Sequence, residues 1–422
     1  MLMKKWLWTL GISSLLAGVV LTGCNFADEE PSSEPTEGGN TDGEVVELTL
    51  TGWQSSPTEQ RYFEETVATF EEQNPDIKVN INTIPDQYMD VLRTRLIGGE
   101  GPDVFFLDAF EAPGLIETGA VEPLDEYITD EFDLADFEQP LLEAFERNGV
   151  LYGLPKDTST LALFYNIDML EEAGFDGPPE TWEELEEMAI ALTNDDEYGF
   201  GVVTDLARLM FIAQSNGGQI ATDNQATFAD PRVVEALQPI VDMRNVDGSA
   251  VEPSEVGADW GGEMFGLERV AMVIEGNWTV PFLDENFEDV NYGVAEVPTI
   301  NGNEGTMAYT VSYVMNRNSE HKEEAWRLIE FLTGKEGMEL WTSSGLTLPT
   351  RASVSEKLDY ADDPIYGPFI AGQSYATVWA DDTNLPIVNN NFQNQFTSAF
   401  LGQRDLAEAL KEAEEVANSE IQ

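Results

Sequence analysis

Residues 149–168, GVLYGLPKDTSTLALFYNID, orient the rest of the chain. Two apolar extended runs, 150–154 and 161–165, are separated by Pro155, Lys156, Asp157, Thr158, Ser159 and Thr160. Proline donates nothing to a strand ladder and is kept to edges and breaks. One buried strand with a proline and five polar residues at its centre is therefore not expected. The stretch reads as an extended connector that leaves one sheet and enters another, its polar middle exposed between two packed bodies. An ordinary hairpin with a six-residue polar turn is the alternative. A chain that crosses a cleft puts side chains on the cleft floor, where ligands bind.

The amino terminus reads as an address. Lys4 and Lys5 precede an apolar run over 6–21, followed by Leu21-Thr22-Gly23-Cys24. A charged start, an apolar middle and small residues before a cut make a secretory signal over 1–23. The last four residues resemble a bacterial lipobox, with Cys24 as the lipidated residue. Two acyl chains at about 0.8 kcal/mol per buried CH₂ hold a protein firmly at a membrane. Cys24 is the only cysteine, so no internal disulfide is available. Residues 25–43 offer little to bury and read as a disordered spacer. The expected location is the outer face of a Gram-positive type of cell membrane.

Composition narrows the class. Against 20 basic residues stand 80 acidic ones, a net charge of −60. Such a field repels phosphate backbones and excludes nucleic-acid binding. With 42% hydrophobic and 10% aromatic residues, the chain folds around a core rather than behaving as an acidic tail. The acidity is spread along the chain, as in TNDDEY (193–198) and DENFED (284–289), and suits a saline or alkaline exterior. The length after the spacer suggests two domains or lobes.

Taken in order, Val46, Leu48 and Leu50 alternate with polar residues as a half-buried first strand. Ser56, Pro57 and Glu59 form a capping signal for a helix whose stripe is Tyr62, Phe63, Val67 and Phe70. A strand over 77–84, a helix over 87–97 and the apolar run 104–107 follow, the last closed by Asp108. This alternation points to a parallel α/β sheet. Ligands then sit beyond the carboxyl ends of the strands, at Gln54 and Asp108. Later strands are expected at 270–274, 292–297 and 309–315, with helices at 232–245, 320–332 (capped by Gly334) and 405–417. Residues 346–351, LTLPTR, form a second Pro-broken extended segment.

Read together, GPDVFFLD (101–108), GLPKDTSTLALFYNIDML (153–170), PPETWEELEEMA (178–189), SNGGQI (215–220), LERVAMVIEGNW (267–278) and GLTLPTR (345–351) resemble the extracellular solute-binding proteins of sugar ABC importers, of the maltose-binding type. The resemblance implies a two-lobe α/β fold of the periplasmic-binding-protein class II type, with three crossing segments near 155–158, 297–300 and 348–351. The lobes would comprise 45–156 with 299–348, and 157–298 with 349–422. It also implies a sugar ligand, membrane permease subunits as partners, a monomer, and no cofactor or metal.

A sugar offers hydroxyls at its edge and C–H faces above and below. Carboxylates match the hydroxyls and aromatic rings cover the faces. By resemblance, Asp108 is the hydroxyl-binding acid of the first lobe and Trp278 the stacking ring of the second. Gln54, Glu59 and Asp157 occupy similar ground, followed by Arg351 and Trp379, then Trp260 and Tyr309. Trp53 and Trp341 read as core. The chain departs from the maltose-binding pattern at Ser159, where an acid is expected, and at Asn277, where proline is frequent. Rival readings are a glycosidase with paired carboxylates, an adhesive or peptide-binding lipoprotein, and a receptor for another polar solute. His321, the one histidine, lies on an apparently exposed helix, which disfavours Ser–His catalysis.

Overall fold

The computed structural model describes residues 45–53, 57–85, 87–222, 225–380 and 384–421. The leader, Cys24, the spacer, Gln54 and Ser56 lie outside the described residues. In chain order the strands are β1 (Val46–Gly52), β2 (Ile77–Thr83), β3 (Val104–Asp108), β4 (Glu146–Arg147), β5 (Val150–Leu151), β6 (Gly153–Asn166), β7 (Tyr198–Gly201), β8 (Ala221–Thr222), β9 (Gln225–Ala226), β10 (Ala250–Val251), β11 (Val270–Gly276), β12 (Tyr292–Ala295), β13 (Thr306–Met315) and β14 (Ala376–Val378). Ten of these form one curled sheet in the order β10-β7-β11-β6-β13-β3-β1-β2, with β12 also on β6 and β14 on β13.

The alternation in β1 buries Leu48 and Leu50 and sets the strand parallel to β2 and β3. The helix Pro57–Gln73 that joins β1 to β2 turns Phe63, Val67 and Phe70 onto this sheet. The helix Lys322–Leu332 buries Ala325, Leu328, Ile329 and Leu332; Thr333 caps it, and Gly334 instead begins the helix Lys335–Thr342. Sequence periodicity missed the helix Leu385–Phe400, whose run of Asn and Gln hides a buried stripe of Val388, Phe392 and Phe396.

The expectation for 149–168 is half overturned. The segment does pass from one half of the sheet to the other, but as one continuous strand, β6, whose polar middle is buried. Its first half pairs antiparallel with β13; residues 161–166 pair with β11 and β12. Burial is tolerated because the polar groups are bonded. Thr158 and Leu348 exchange backbone hydrogen bonds of 2.9 and 2.8 Å. The hydroxyls of Thr158 and Thr160 donate to the carbonyls of Tyr309 and Phe369 at 2.9 and 2.8 Å. Thr310 and Thr350 donate to the carbonyls of Asp157 and Pro155, each at 2.8 Å. Pro155 sits beside a bulge, opposite Val311 and Ser312, where Lys156 is the extra residue.

Two cores lie on either side of this polar segment. The first draws on 48–154 and on Tyr313, Trp341 and Val354. The second draws on 161–307, Leu348 and 369–417. Val297 and Ile300 belong to the second, while Leu358 still packs on the first and Tyr360 on the second.

Candidate functional site

A cavity of about 850 Å³ opens where the ends of β1 and β3 meet the middle of β6 and the end of β11. One wall is acidic. Glu59, in the first turn of the helix Pro57–Gln73, lines it beside Asp108, Asp157 and Ser159. A carboxylate at that helix end is favoured by the helix dipole. Asp108 closes β3 and accepts the Phe110 N–H at 2.8 Å. Burial pushes its carboxyl up to about 7; the Phe110 hydrogen bond opposes this, and Glu111 and Asp157 add to it.

Asp157 is braced rather than free. Trp341 Nε1 donates to its Oδ2 at 2.7 Å, and Lys156 forms an ion pair with the same oxygen. The Lys156 ammonium also lies 4.8 Å from the Phe106 ring and 4.2 Å from that of Trp341. The bulge at Lys156 explains how sequence neighbours come to share a face. No arginine lines this cavity among the described residues, and its one lysine is committed to Asp157.

The opposite wall is aromatic. Trp260 packs edge-on against Phe282 at 4.7 Å, and Trp278 against Tyr309 at 5.6 Å. Close glycines make room for both indoles: a Cβ on Gly262 would lie 2.1 Å from the Trp260 ring, and one on Gly276 2.3 Å from that of Trp278. Behind Trp278, Arg208 sits 6.0 Å from the ring, ion-paired with Asp205 and, at 2.7 Å, with the fully buried Glu275. Burial works against its charge, but Glu275 and Asp205 outweigh that and hold the guanidinium protonated. Two buried hydroxyls on the cavity wall, Tyr309 Oη and Thr347 Oγ1, have no hydrogen-bond partner. Unpaired buried hydroxyls are costly, so both are open to a ligand's polar groups. Asn277 donates to the carbonyls of Gly345 and Leu346 at 3.2 and 2.9 Å and so positions the Leu346–Thr347 part of the wall.

Of the residues expected from sequence, the fold brings together Glu59, Asp108, Asp157, Trp260, Trp278 and Tyr309. It does not bring Arg351 or Trp379 into this cavity. Arg351 is buried with its guanidinium donating to the carbonyls of Thr333, Asp133 and Phe132 at 2.7, 3.0 and 3.1 Å. The Phe132 and Phe137 rings lie within 4.7 and 3.9 Å of it. Trp379 is buried against Phe110. Trp341 is core as expected, whereas Trp53 lines the cavity, held edge-on by Tyr88 and Phe106 at 4.9 and 5.3 Å. It directly follows Gly52 at the end of β1, and Trp278 lies two residues past Gly276 at the end of β11, so a tryptophan just beyond a strand-ending glycine was a signal the sequence did carry. Lys156, Phe282 and Thr347 were also missed.

The family model described as "Bacterial extracellular solute-binding protein" matches residues 54–339. The arabinooligosaccharide-binding protein of Bacillus subtilis is 25% identical, over 85% of each chain. The maltotriose-binding protein of Pyrococcus abyssi is 25% identical over 74% of this chain and 68% of its own. A solute-binding protein from Thermotoga lettingae, solved with α-D-tagatose, superposes with a TM-score of 0.79 at 27% identity, covering 89% of this chain and 100% of that one. An ABC substrate-binding protein from Listeria monocytogenes, solved with cycloalternan, gives 0.81 at 22% identity over 89% and 99%. Among the described residues no helix is long and apolar enough to cross a membrane. With a two-lobed α/β fold around an acid-and-ring cavity, and a family match over residues 54–339 that reaches into both cores, the chain belongs to the bacterial extracellular solute-binding proteins.

Proposed function

We propose that the protein captures a neutral oligosaccharide in the 850 Å³ cavity and delivers it to the membrane subunits of an ABC importer. The observation that carries this reading is the pairing of an acidic wall with an aromatic one, with the Tyr309 and Thr347 hydroxyls unpartnered between them. Carboxylates accept sugar hydroxyls, and indoles cover C–H faces. The relatives that bind maltotriose and arabinooligosaccharide point to the same ligand class.

The lobes of this reading are 45–156 with 299–348, and 157–298 with 349–422, adjusted where core membership differs. Met307 belongs to the second core and Tyr313 to the first, which moves the middle crossing into β13. Val354 and Leu358 pack on the first core, which moves the last crossing to just before Tyr360. Contacts from both lobes to one ligand favour the closed form, which is the state presented to the permease. Cys24 carries the lipid anchor, and the mature domain acts as a monomer without catalysis.

Native mass spectrometry of protein purified from its source, followed by tryptophan fluorescence against a glycan panel, tests this. A retained neutral saccharide and a saturable fluorescence change on re-adding it are expected. Recovery of hydrolysed fragments, or of a peptide ligand, would overturn the reading.

A further inference from the structure

Phe110 and Trp379 stack face to face, ring centroids 5.3 Å apart and planes 6° from parallel. Phe110 follows the acidic wall of the cavity in the chain, its backbone N–H bonded to the cavity-lining Asp108. Trp379 donates its N–H to the carbonyl of Ala308 at 2.8 Å, one residue before the cavity-lining Tyr309. The two rings come from different halves of the molecule. Ala109 and Ala112 flank Phe110 in the first core, yet Phe110 itself packs on the second. In return Val378 and Ala380, on either side of Trp379, pack on the first.

A second cavity of about 380 Å³ is walled by Gln214, Ser215, Asn303, Glu304, Tyr375 and Thr377, the last of them two residues before Trp379. Its wall is polar and organised: Thr377 donates to Gln214 at 2.9 Å, Asn303 to the Ser215 carbonyl at 3.0 Å, and Tyr375 to Glu296 at 2.7 Å. Gly305 borders this cavity and Tyr309 borders the first. The two are four residues apart on extended chain, about 13 Å at 3.3 Å per residue. Thr377 and Trp379 are only two apart. Since β14 pairs parallel with β13 through Val378 and Ala308, Trp379 comes opposite Tyr309 of the first cavity, two residues past Thr377 of the second.

We propose that the Phe110–Trp379 stack sets the length of saccharide the protein accepts, and that the 380 Å³ cavity is an outlying saccharide subsite behind it. This rests on the oligosaccharide reading. A chain lying against Asp108 and Tyr309 meets the Phe110 ring at its end and stops there. With that ring removed, the exposed indole face of Trp379 offers a stacking surface, and the Gln214, Asn303 and Thr377 wall offers partners for the next hydroxyls.

Titration calorimetry with malto-oligosaccharides and arabino-oligosaccharides of two to seven units tests this on three proteins: wild type, Phe110→Ala, and Phe110→Ala combined with Thr377→Phe to fill the far cavity. Wild type is expected to gain nothing beyond the length that fills the first cavity. Phe110→Ala should prefer longer members at least tenfold over the short one, and Thr377→Phe should abolish that gain. The same length profile in wild type and Phe110→Ala overturns the stop while leaving the sugar reading standing. A gain that survives Thr377→Phe overturns the far subsite. Absence of binding by every member to every variant overturns the sugar reading and this inference with it.

Discussion

The indole N–H of Trp341 donates to Asp157 Oδ2 over 2.7 Å, beneath a lysine that pairs with the same oxygen. A buried carboxylate is held at the crossing of two cores by a residue from the helix Lys335–Thr342. Trp341→Phe keeps much of the ring and removes the donor. It should cost about 1–3 kcal/mol of unfolding free energy, the usual consequence of under-satisfying a buried charged group. Urea denaturation reads this, and an unchanged midpoint would show that Lys156 alone suffices.

Asp108 gives a pH signature. Unfolded, its carboxyl ionises near 3.8; folded, near 7. Between those values the folded protein holds a proton that the unfolded chain has released, so stability falls as pH rises from about 4 to about 7. Asp108→Asn removes that dependence and should stabilise the ligand-free protein at pH 8 by about 1–3 kcal/mol relative to pH 4. Melting curves of both proteins across this range decide it; parallel curves contradict the burial account.

Trp278→Ala removes a ring from the cavity wall that is half-buried and packs only at the margin of the second core. Affinity for the retained saccharide should drop at least tenfold, about 1.4 kcal/mol, while the melting temperature of the free protein changes little. An unaltered titration curve would move the site away from Trp278.

Arg351 is assigned to stability instead. Arg351→Met leaves the Asp136 carboxylate, 3.4 Å away, and the carbonyls of Phe132, Asp133 and Thr333 without the arginine donor, and removes the guanidinium between two rings. A loss of about 3–5 kcal/mol is expected, the range for breaking a buried charged network from one side. Below the lowered melting temperature, saccharide affinity should match wild type; a selective loss of affinity would restore Arg351 to the site.

The charge of −60 predicts a salt response. Self-repulsion is screened over about 10 Å at 0.1 M salt and over about 3 Å at 1 M. The ligand-free protein should therefore melt lower as salt is withdrawn, measured by calorimetry from molar salt to dilute buffer. Equal melting temperatures would contradict a surface adapted to brine.

Much was legible because local chemistry repeats along the chain. Strand alternation in β1 and the buried run of β3 both report a decision made within a few residues. Asp108 and Trp278 could be named because the family motif and the strand-end position agree there, Asp108 closing β3 and Trp278 lying two residues past β11. Arg351 could not be assigned that way. A guanidinium after an extended segment looks the same in sequence whether it faces a ligand or three carbonyls. The helix Leu385–Phe400 was missed because its polar amides dilute the period that marks a buried face.

The sequence by itself determined the class of the molecule, its alternating α/β elements and the residue types a sugar needs, since propensity and patterning act over short distances. Only the tertiary structure decided which of those residues share a cavity, that the polar stretch 155–160 is buried within one strand, and that Trp379 meets Phe110. Those outcomes depend on partners more than a hundred residues away, such as Tyr309 for Thr158 and Phe369 for Thr160. A buried polar group is affordable only when such a partner arrives, and no local pattern announces it.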